Sequence, residues 1–316
     1  MSAKKDHPKE KSRLHPRNKN RTRYDFEKLL ANCSSLKPFV RKNAYDDLSI
    51  DFADPNAVKA LNQAILKYHY RIEFWEIPAG FLSPPIPGRA DYVHYLADLL
   101  ATTNFGKIPR GENIKCLDIG VGANCIYPLI GVTEYGWSFI GSDVDAGAIA
   151  SANTIISKNA NLKGKVECRI QKNGKDFFYG ILLKDELVDI TMCNPPFHAS
   201  AKDAEKGTTR KLKNLNQEKG VLNFGGKNNE LWYDGGEKRF VSNMIRESKK
   251  FAENSFWFTS LVSKQSNLKS FYKVLKEVGA FRVETISMGQ GKKTSRILAW
   301  TFLPKTEQQL WKKERW

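Results

Sequence analysis

The spacing of apolar positions changes along the chain and divides it into two parts. In the stretch DPNAVKALNQAILKYHY, apolar side chains recur at Val58, Leu61 and Ile65 behind an aspartate, as in a capped amphipathic helix. A run of prolines then excludes regular structure as far as Gly88, and apolar residues return at helical spacing after it. We therefore expect residues 24–107 to form a helical N-terminal extension.

Beyond Asn113, short apolar runs alternate with helical patterns, which is typical of βαβ units and a parallel sheet. The strands are expected near 114–119, 138–143, 166–170, 187–193, 255–261, 281–287 and 295–302, and the helices near 125–135, 145–159, 238–252 and 267–278. The predicted fold class is α/β, with a mostly parallel seven-stranded sheet and helices on both faces, over residues 108–303.

Three segments fall outside this pattern. Residues 1–23 carry nine basic and two acidic side chains, and they have too little apolar surface to offset the entropy of ordering. We interpret them as a disordered basic arm, either in contact with RNA or inert. Residues 198–236 form a long Lys-, Asn- and Gly-rich insertion, and such loops are usually functional or disordered. We interpret the insertion as a substrate loop and residues 304–316 as a C-terminal tail.

The overall charge changes the expected partners. The chain has 51 Lys and Arg against 34 Asp and Glu, a net charge of +17. Small soluble domains usually carry a net charge of about 2–8, and an excess of this size attracts phosphate-bearing polymers. Nucleic acid is the leading partner, although a basic surface that only serves solubility is the alternative.

The cysteines, histidines and apolar runs indicate a cytoplasmic protein without a metal or a membrane partner. The five cysteines include no CxxC pair and the five histidines are scattered, so neither a disulfide framework nor a metal site is expected. No apolar run approaches the roughly 18 residues of a membrane span. We also expect a monomer.

Two features point to a nucleoside cofactor. In LDIGVGANC a predicted strand turns into a helix through Gly120 and Gly122, where glycine permits positive φ and the helix start offers free N–H groups. The next strand ends in Asp143, which can accept hydrogen bonds from ribose hydroxyls. A dinucleotide oxidoreductase would show the same pair, and Asp143 could instead cap the helix that follows.

The sequence NPPF at the end of the fourth strand favours one of these cofactors. The Asn194 amide oxygen and the Pro195 carbonyl can accept hydrogen bonds from a planar amine and favour its pyramidalisation, while Phe197 can stack on a base. This tetrad, Asn194, Pro195, Pro196 and Phe197, is similar to the [ND]PP[YFW] signature of amino methyltransferases that use S-adenosylmethionine. A proline-rich stop after a core strand is the alternative interpretation.

The resemblance extends over several blocks. FLSPPIPGRADYVHYLADLL, LDIGVGANCIYPLIG, MCNPPFH, NFGGKNNELWYDGGE, FTSLVSK and MGQGKKTSRILAWTF closely resemble the bacterial 23S ribosomal RNA (adenine-1618-N6) methyltransferase family over about residues 12–302. Eukaryotic relatives methylate adenine in RNA hairpins. The resemblance implies a Rossmann-like class I methyltransferase fold with an RNA-binding N-terminal extension. It also implies S-adenosylmethionine as cofactor, and 23S ribosomal RNA or a large-subunit assembly intermediate as substrate.

The same resemblance assigns residues to the cofactor. Arg89 is expected to pair with its carboxylate and Asp143 with its ribose. The residues expected around its methionine and adenine portions are Gly120, Gly122, Asn124 and Asn173, of which Asn173 matches the most loosely. Asn124 departs from the serine that is common in distant relatives, and the insertion differs greatly there, which leaves the choice of RNA more open than the chemistry.

Two further hypotheses concern charged or titratable residues outside the cofactor loop. Four basic residues follow the tetrad and are expected to form an RNA-facing flap, with an ordinary solvated loop as the alternative: Lys206, Arg210, Lys211 and Lys213. His94 is expected on the polar side of its helix, at an ordinary surface or interface.

Three other functions compete with adenine methylation. A protein glutamine methyltransferase acting on release factors uses an NPPY-type tetrad, and the basic arm and Phe197 argue against it. A non-catalytic RNA-binding assembly factor is disfavoured by the intact glycine turn, Asp143 and tetrad. A nicotinamide-dependent oxidoreductase gives no reason for the residues from Asn194 to Phe197.

Overall fold

The computed structural model describes residues 10–200, 228–290 and 293–316. Its centre is a seven-stranded sheet, made of β3 (Lys115–Ile119), β4 (Ser138–Asp143), β5 (Val166–Ile170), β6 (Val188–Cys193), β7 (Ser255–Val262), β8 (Arg282–Gln290) and β9 (Lys293–Thr301). The strand order is β5-β4-β3-β6-β7-β9-β8, parallel from β5 to β7, with β9 antiparallel to both of its neighbours. The predicted fold class is confirmed.

Helices cover both faces of the sheet. Alternate residues of β3 enter different apolar clusters: Cys116 joins one with α4 and α5, and Leu117 joins the other with α7 and α8, because successive strand side chains point to opposite faces. The helices of this part are α4 (Ile126–Tyr135), α5 (Ala146–Lys158), α6 (Asn228–Leu231), α7 (Gly236–Ser248), α8 (Leu268–Glu277) and α9 (Lys305–Arg315).

The N-terminal extension is helical but also contains a small sheet. Its elements are α1 (Phe26–Asn32), the antiparallel strands β1 (Val40–Lys42) and β2 (Leu48–Ile50), α2 (Pro55–Tyr70) and α3 (Ile86–Thr103). Asp54 caps α2 by accepting from the Asn56 N–H at 2.8 Å. Helix α3 starts before Gly88, contrary to the sequence prediction, because Pro87 lies in the first turn, where no N–H donor is required.

Residues 10–23 are packed against α3, so the prediction of a disordered arm is wrong for this part, while residues 1–9 lie outside the described residues. Leu14, His15 and Asn18 are buried. Buried Asp91 accepts from the His15 N–H at 3.0 Å and from Asn18 Nδ2 at 2.5 Å. A polar network therefore orders the segment, and apolar content did not reveal it.

The same packing corrects the expectation for His94. Its side chain is fully buried, and its Nδ1 lies 2.7 Å from the Tyr135 hydroxyl. Burial lowers the pKa of His94 to about 3, and the electrostatic interaction with His15 adds to this effect. His94 is therefore a neutral interior group.

Residues 304–316 form a folded end of the domain. Trp311 of α9 is buried, and its Nε1 donates to Asp189 of β6 at 2.7 Å. Trp316 Nε1 and the Arg315 guanidinium donate to the same carboxylate, at 2.6 Å and 2.9–3.1 Å. The predicted tail is thus a helix that satisfies a fully buried acid. No helix within the described part of the chain is long and apolar enough to cross a membrane.

Candidate active site

A cavity opens at the carboxyl ends of strands β3, β4 and β6. This is where open α/β sheets hold their ligands. Of the predicted site residues, the cavity is lined by Arg89, Gly120, Gly122, Asn124, Asp143, Asn194 and Pro196. Residues that are far apart in the sequence are therefore brought together at the predicted place.

The turn after β3 requires its glycines. Gly120 and Gly122 have φ of +80° and +64°, which L side chains adopt only with strain. A Cβ at Gly122 would also lie 3.1 Å from Asn124 Nδ2. The turn consequently leaves bare backbone facing the cavity, so a ligand can approach closely.

Asp143 is fixed by backbone donors at the end of β4. Its Oδ2 accepts from the Gly122 N–H at 3.0 Å and its Oδ1 from the Asp145 N–H at 2.9 Å. Burial raises the pKa of Asp143. The cap of α5 is Asp145, which accepts from the Ala148 N–H at 3.0 Å, so the alternative of a capping role for Asp143 does not hold.

Asn194 meets Arg89 at the end of β6. When the Asn194 amide is oriented with its oxygen toward Arg89, this oxygen accepts hydrogen bonds from Nη1 and Nη2 of Arg89, at 3.0 and 3.1 Å. Arg89 Nη1 also donates to the Tyr127 hydroxyl at 3.0 Å. Burial raises the pKa of Tyr127 to about 12, so this hydroxyl is neutral at physiological pH. The side chain of Asn194 therefore faces the cavity and not the protein interior.

The other three residues of the tetrad differ in their exposure. Pro195 and Pro196 are buried, whereas Phe197 is 37% exposed. Tyr92 of α3 supports the strand end, because its hydroxyl accepts from the Cys193 N–H at 3.3 Å and lies 2.7 Å from Thr259 Oγ1. The N-terminal extension thus holds the end of β6 in place.

Asn173 is placed differently from its neighbours. It is exposed and outside the cavity lining, and its Nδ2 donates to Asp176 at 2.7 Å within a tight turn. The lining residues of this segment are Gln171, Gly174, Asp176 and Phe177. The predicted RNA-binding residues Lys206, Arg210, Lys211 and Lys213 all lie outside the described residues.

Sequence reasoning missed several residues of the site. Tyr127, Glu230 and Phe240 line the cavity, and Asp118 lies behind it, fully buried in β3. Neither carboxylate oxygen of Asp118 has a hydrogen-bond partner among the described residues. A carboxylate inside the apolar run IKCLDI was a signal for Asp118, whereas nothing local marks Glu230.

These residues fit S-adenosylmethionine. The glycine turn admits a ligand against the backbone, Asp143 presents a fixed carboxylate at the ribose position of such sheets, and Arg89 offers a planar fork to a carboxylate. Asp118, whose carboxyl oxygens have no hydrogen-bond partner among the described residues, lies behind this cavity. When bound, the cofactor supplies an electrophilic methyl group. Within residues 10–200, 228–290 and 293–316, no group of three or more His, Cys, Asp or Glu could hold a metal ion.

Comparison with known proteins agrees with this site. A family model described as RNA methyltransferase matches residues 8–304. The ribosomal RNA large subunit methyltransferase F of Cytophaga hutchinsonii is 56% identical over 99% of this chain and 98% of its own length. The protein of the same name from Yersinia enterocolitica is 56% identical, over 100% of this chain and 96% of its own.

Two solved structures share the fold. The hMettl16 catalytic domain in complex with the MAT2A 3′UTR hairpin 1 is 27% identical, with a TM-score of 0.77 over 92% of this chain and 96% of that one. The N-terminal domain of human METTL16 in complex with SAH is 26% identical, with a TM-score of 0.72 over 92% and 99%. The chain therefore belongs to the RNA methyltransferase family, and its cofactor is S-adenosylmethionine.

Proposed function

We propose that the protein methylates the exocyclic N6 amine of an adenine in 23S ribosomal RNA, the adenine at position 1618 that the sequence resemblance implies. One observation carries the proposal. The amide of Asn194 lies at the end of β6 in the same cavity as Gly122 and Asp143, and the exposed ring of Phe197 follows it directly in the chain.

The residues of the tetrad can prepare a planar amine for attack. Because the lone pair of the adenine amine is delocalised into the ring, acceptors for its two hydrogens favour the pyramidal nitrogen that a nucleophile needs. The Asn194 oxygen and the Pro195 carbonyl are such acceptors. In this proposal Phe197 stacks on the base, an interaction worth about 1–3 kcal/mol. No general base is required, since the methylated ammonium formed by the transfer is acidic enough to release its proton to water.

Arg89 connects cofactor binding to this arrangement. Both of its terminal nitrogens donate to the Asn194 oxygen, which would otherwise accept from the substrate amine. A carboxylate is a stronger acceptor for a guanidinium than an amide is. We expect the carboxylate of the cofactor to draw Arg89 away and leave the Asn194 oxygen for the base.

Ribosomal RNA is the proposed substrate because of the relatives and the charge. The relatives from Cytophaga and Yersinia are named as large-subunit ribosomal RNA methyltransferases, and this chain carries a net charge of +17. A base must leave its stack to reach such a cavity, which favours naked 23S RNA or a large-subunit assembly intermediate in the cytoplasm over the finished ribosome.

Methyl transfer from tritiated S-adenosylmethionine tests the proposal. The wild-type protein is incubated with 23S RNA from a strain that lacks the modification, or with a release factor, and the labelled product is digested to nucleosides or amino acids. We expect label in N6-methyladenosine at one position. Asn194→Ala should lower the rate at least about 100-fold, because one preorganised acceptor is lost.

The control variant is Asn56→Ala, which removes an exposed amide at the start of α2 and should leave the rate unchanged. Label in glutamine of the release factor, or in a nucleoside other than N6-methyladenosine, would overturn the proposal. So would full activity of Asn194→Ala.

A further inference from the structure

Glu230 lies where three separate parts of the chain meet. Its Oε2 accepts from the Leu82 N–H at 3.2 Å, and its Oε1 is 3.7 Å from the position that a Cβ would take on Gly122. Leu82 in turn accepts from Asn124 Nδ2 at 3.3 Å through its carbonyl. The carboxylate of Glu230 therefore lines the cavity beside the glycine turn.

The cavity is acidic, although the protein is strongly basic. Among the described residues that line it, Asp143, Asp176 and Glu230 carry negative charge and Arg89 carries positive charge. S-adenosylmethionine has a sulfonium, an ammonium and a carboxylate, and hence a net charge of +1. The charge of the lining is complementary to this ligand.

The strand order assigns each acidic residue to one part of the ligand. Along the edge β6-β3-β4-β5, Arg89 lies beside the end of β6, Asp143 ends β4, and Asp176 follows β5. A ligand whose carboxylate meets Arg89 and whose ribose meets Asp143 points its base toward Asp176. Glu230 lies beside the turn between β3 and α4, and β3 stands between β6 and β4 along this edge.

The ammonium of the ligand is bonded to the same carbon as the carboxylate. It therefore needs hydrogen-bond acceptors close to the carboxylate end of the ligand. Asp118 is also acidic there, but it is fully buried and outside the lining. We propose that Glu230 is a cofactor-binding residue whose carboxylate accepts a hydrogen bond from the α-ammonium of the methionine portion. Glu230 belongs to the insertion 198–236, which the sequence analysis interpreted as a substrate loop.

This contact would also join the cofactor to the tetrad. The carbonyl of Leu231, next to Glu230, accepts from the His198 N–H at 3.1 Å, and His198 directly follows Phe197. A ligand held by Glu230 is thus tied through two residues to the segment that receives the base.

Calorimetric titration without RNA tests the proposal with two ligands. One is S-adenosylhomocysteine, and the other is its analogue with a hydroxyl in place of the α-ammonium. The wild-type protein should bind the analogue about 10–100-fold more weakly, as expected for a lost charge-assisted hydrogen bond. Glu230→Gln should weaken S-adenosylhomocysteine by a similar factor and leave the analogue within about twofold.

The matched control is Glu253→Gln, which neutralises an exposed glutamate outside the cavity and should bind both ligands as the wild type does. The proposal is overturned if Glu230→Gln weakens both ligands equally, or weakens neither. If that variant does not fold, the wild type decides, because equal binding of the two ligands also overturns the assignment. Cofactor affinity is the readout, so these outcomes are independent of which RNA or protein is methylated.

Discussion

Asp118 is a carboxylate that the fold buries completely at the end of β3. Burial raises the pKa of Asp118 well above its ordinary 3.8, and the nearby charge of Asp143 adds to the effect. A carboxyl group whose pKa is raised by folding stabilises the folded state while it is protonated. That contribution is complete below pH 3.8 and is lost as the pH rises through the folded pKa.

Asp118→Asn should therefore stabilise the cofactor-free protein at neutral pH. The difference in unfolding free energy between variant and wild type should grow from pH 3.8 upward, by about 1.4 kcal/mol for each unit by which the pKa is raised. Urea unfolding at a series of pH values measures it. Asp185→Asn, at an exposed position, is the control for the substitution itself. A difference that does not change with pH for Asp118→Asn would contradict the prediction.

At the residue scale, the sequence predicts those parts of the site that follow from local backbone requirements. Gly120 and Gly122 are needed for positive φ, and Asn194 is recognisable from its prolines. Glu230 could not be predicted in the same way, because its partner Leu82 is 148 residues away. Such a contact depends on which segments the fold places side by side.

At the scale of elements, residues 10–23 show why a basic stretch need not be mobile. Asn18 is 3% exposed, and its Nδ2 donates to Asp91 and to the Pro87 carbonyl at 2.8 Å. Hydrophobic periodicity carries no information about such a network. The small strands β1 and β2 were missed for a related reason. Most of their residues are not buried, and apolar and polar residues hardly alternate along them.

Asn18→Ala should destabilise the protein by about 1–3 kcal/mol, the cost of leaving a buried polar group without its partner. The midpoint and slope of a urea titration give this value. Asn32→Ala, which removes an exposed amide that donates to the Lys28 carbonyl at 2.8 Å, should cost less than about 0.5 kcal/mol. Equal effects of the two variants would mean that the N-terminal segment contributes little to folding.

The central strands of the α/β domain were predictable because they are apolar throughout, whereas the edge strand β5 has no buried residue. All residues of β6 and β7 are buried, as expected of central strands with helices on both sides. Helix α9 was not predicted, since its contacts are with distant residues: Trp311 packs on Phe256 and donates to Asp189.

At the scale of the whole molecule, the protein combines an acidic cavity with a net charge of +17. Binding of RNA and binding of the cofactor should therefore respond differently to salt. If six to ten phosphates are contacted, RNA affinity should fall by about 10³–10⁵ between 50 and 200 mM salt. The affinity for S-adenosylhomocysteine should change far less, and it serves as the control in the same samples.

The four basic residues after the tetrad can be tested in the same titration. Replacing Lys206, Arg210, Lys211 and Lys213 by alanine should lower the slope of log affinity against log salt by about 3, if each contacts one phosphate of single-stranded RNA. Fluorescence anisotropy of a labelled RNA fragment gives both slopes. An unchanged slope would reject the RNA-facing flap.

The pairing of His198 with Trp232 has a consequence for how such enzymes diversify. The backbone of His198 is hydrogen-bonded to Leu231 and Tyr233, so these two parts of the insertion lie side by side. A segment of another length or composition can be grafted between these anchors without displacing the chemistry, since closing a longer loop costs only about 0.6 kcal/mol per doubling. The choice of target could then change with this segment while the catalytic residues stay the same.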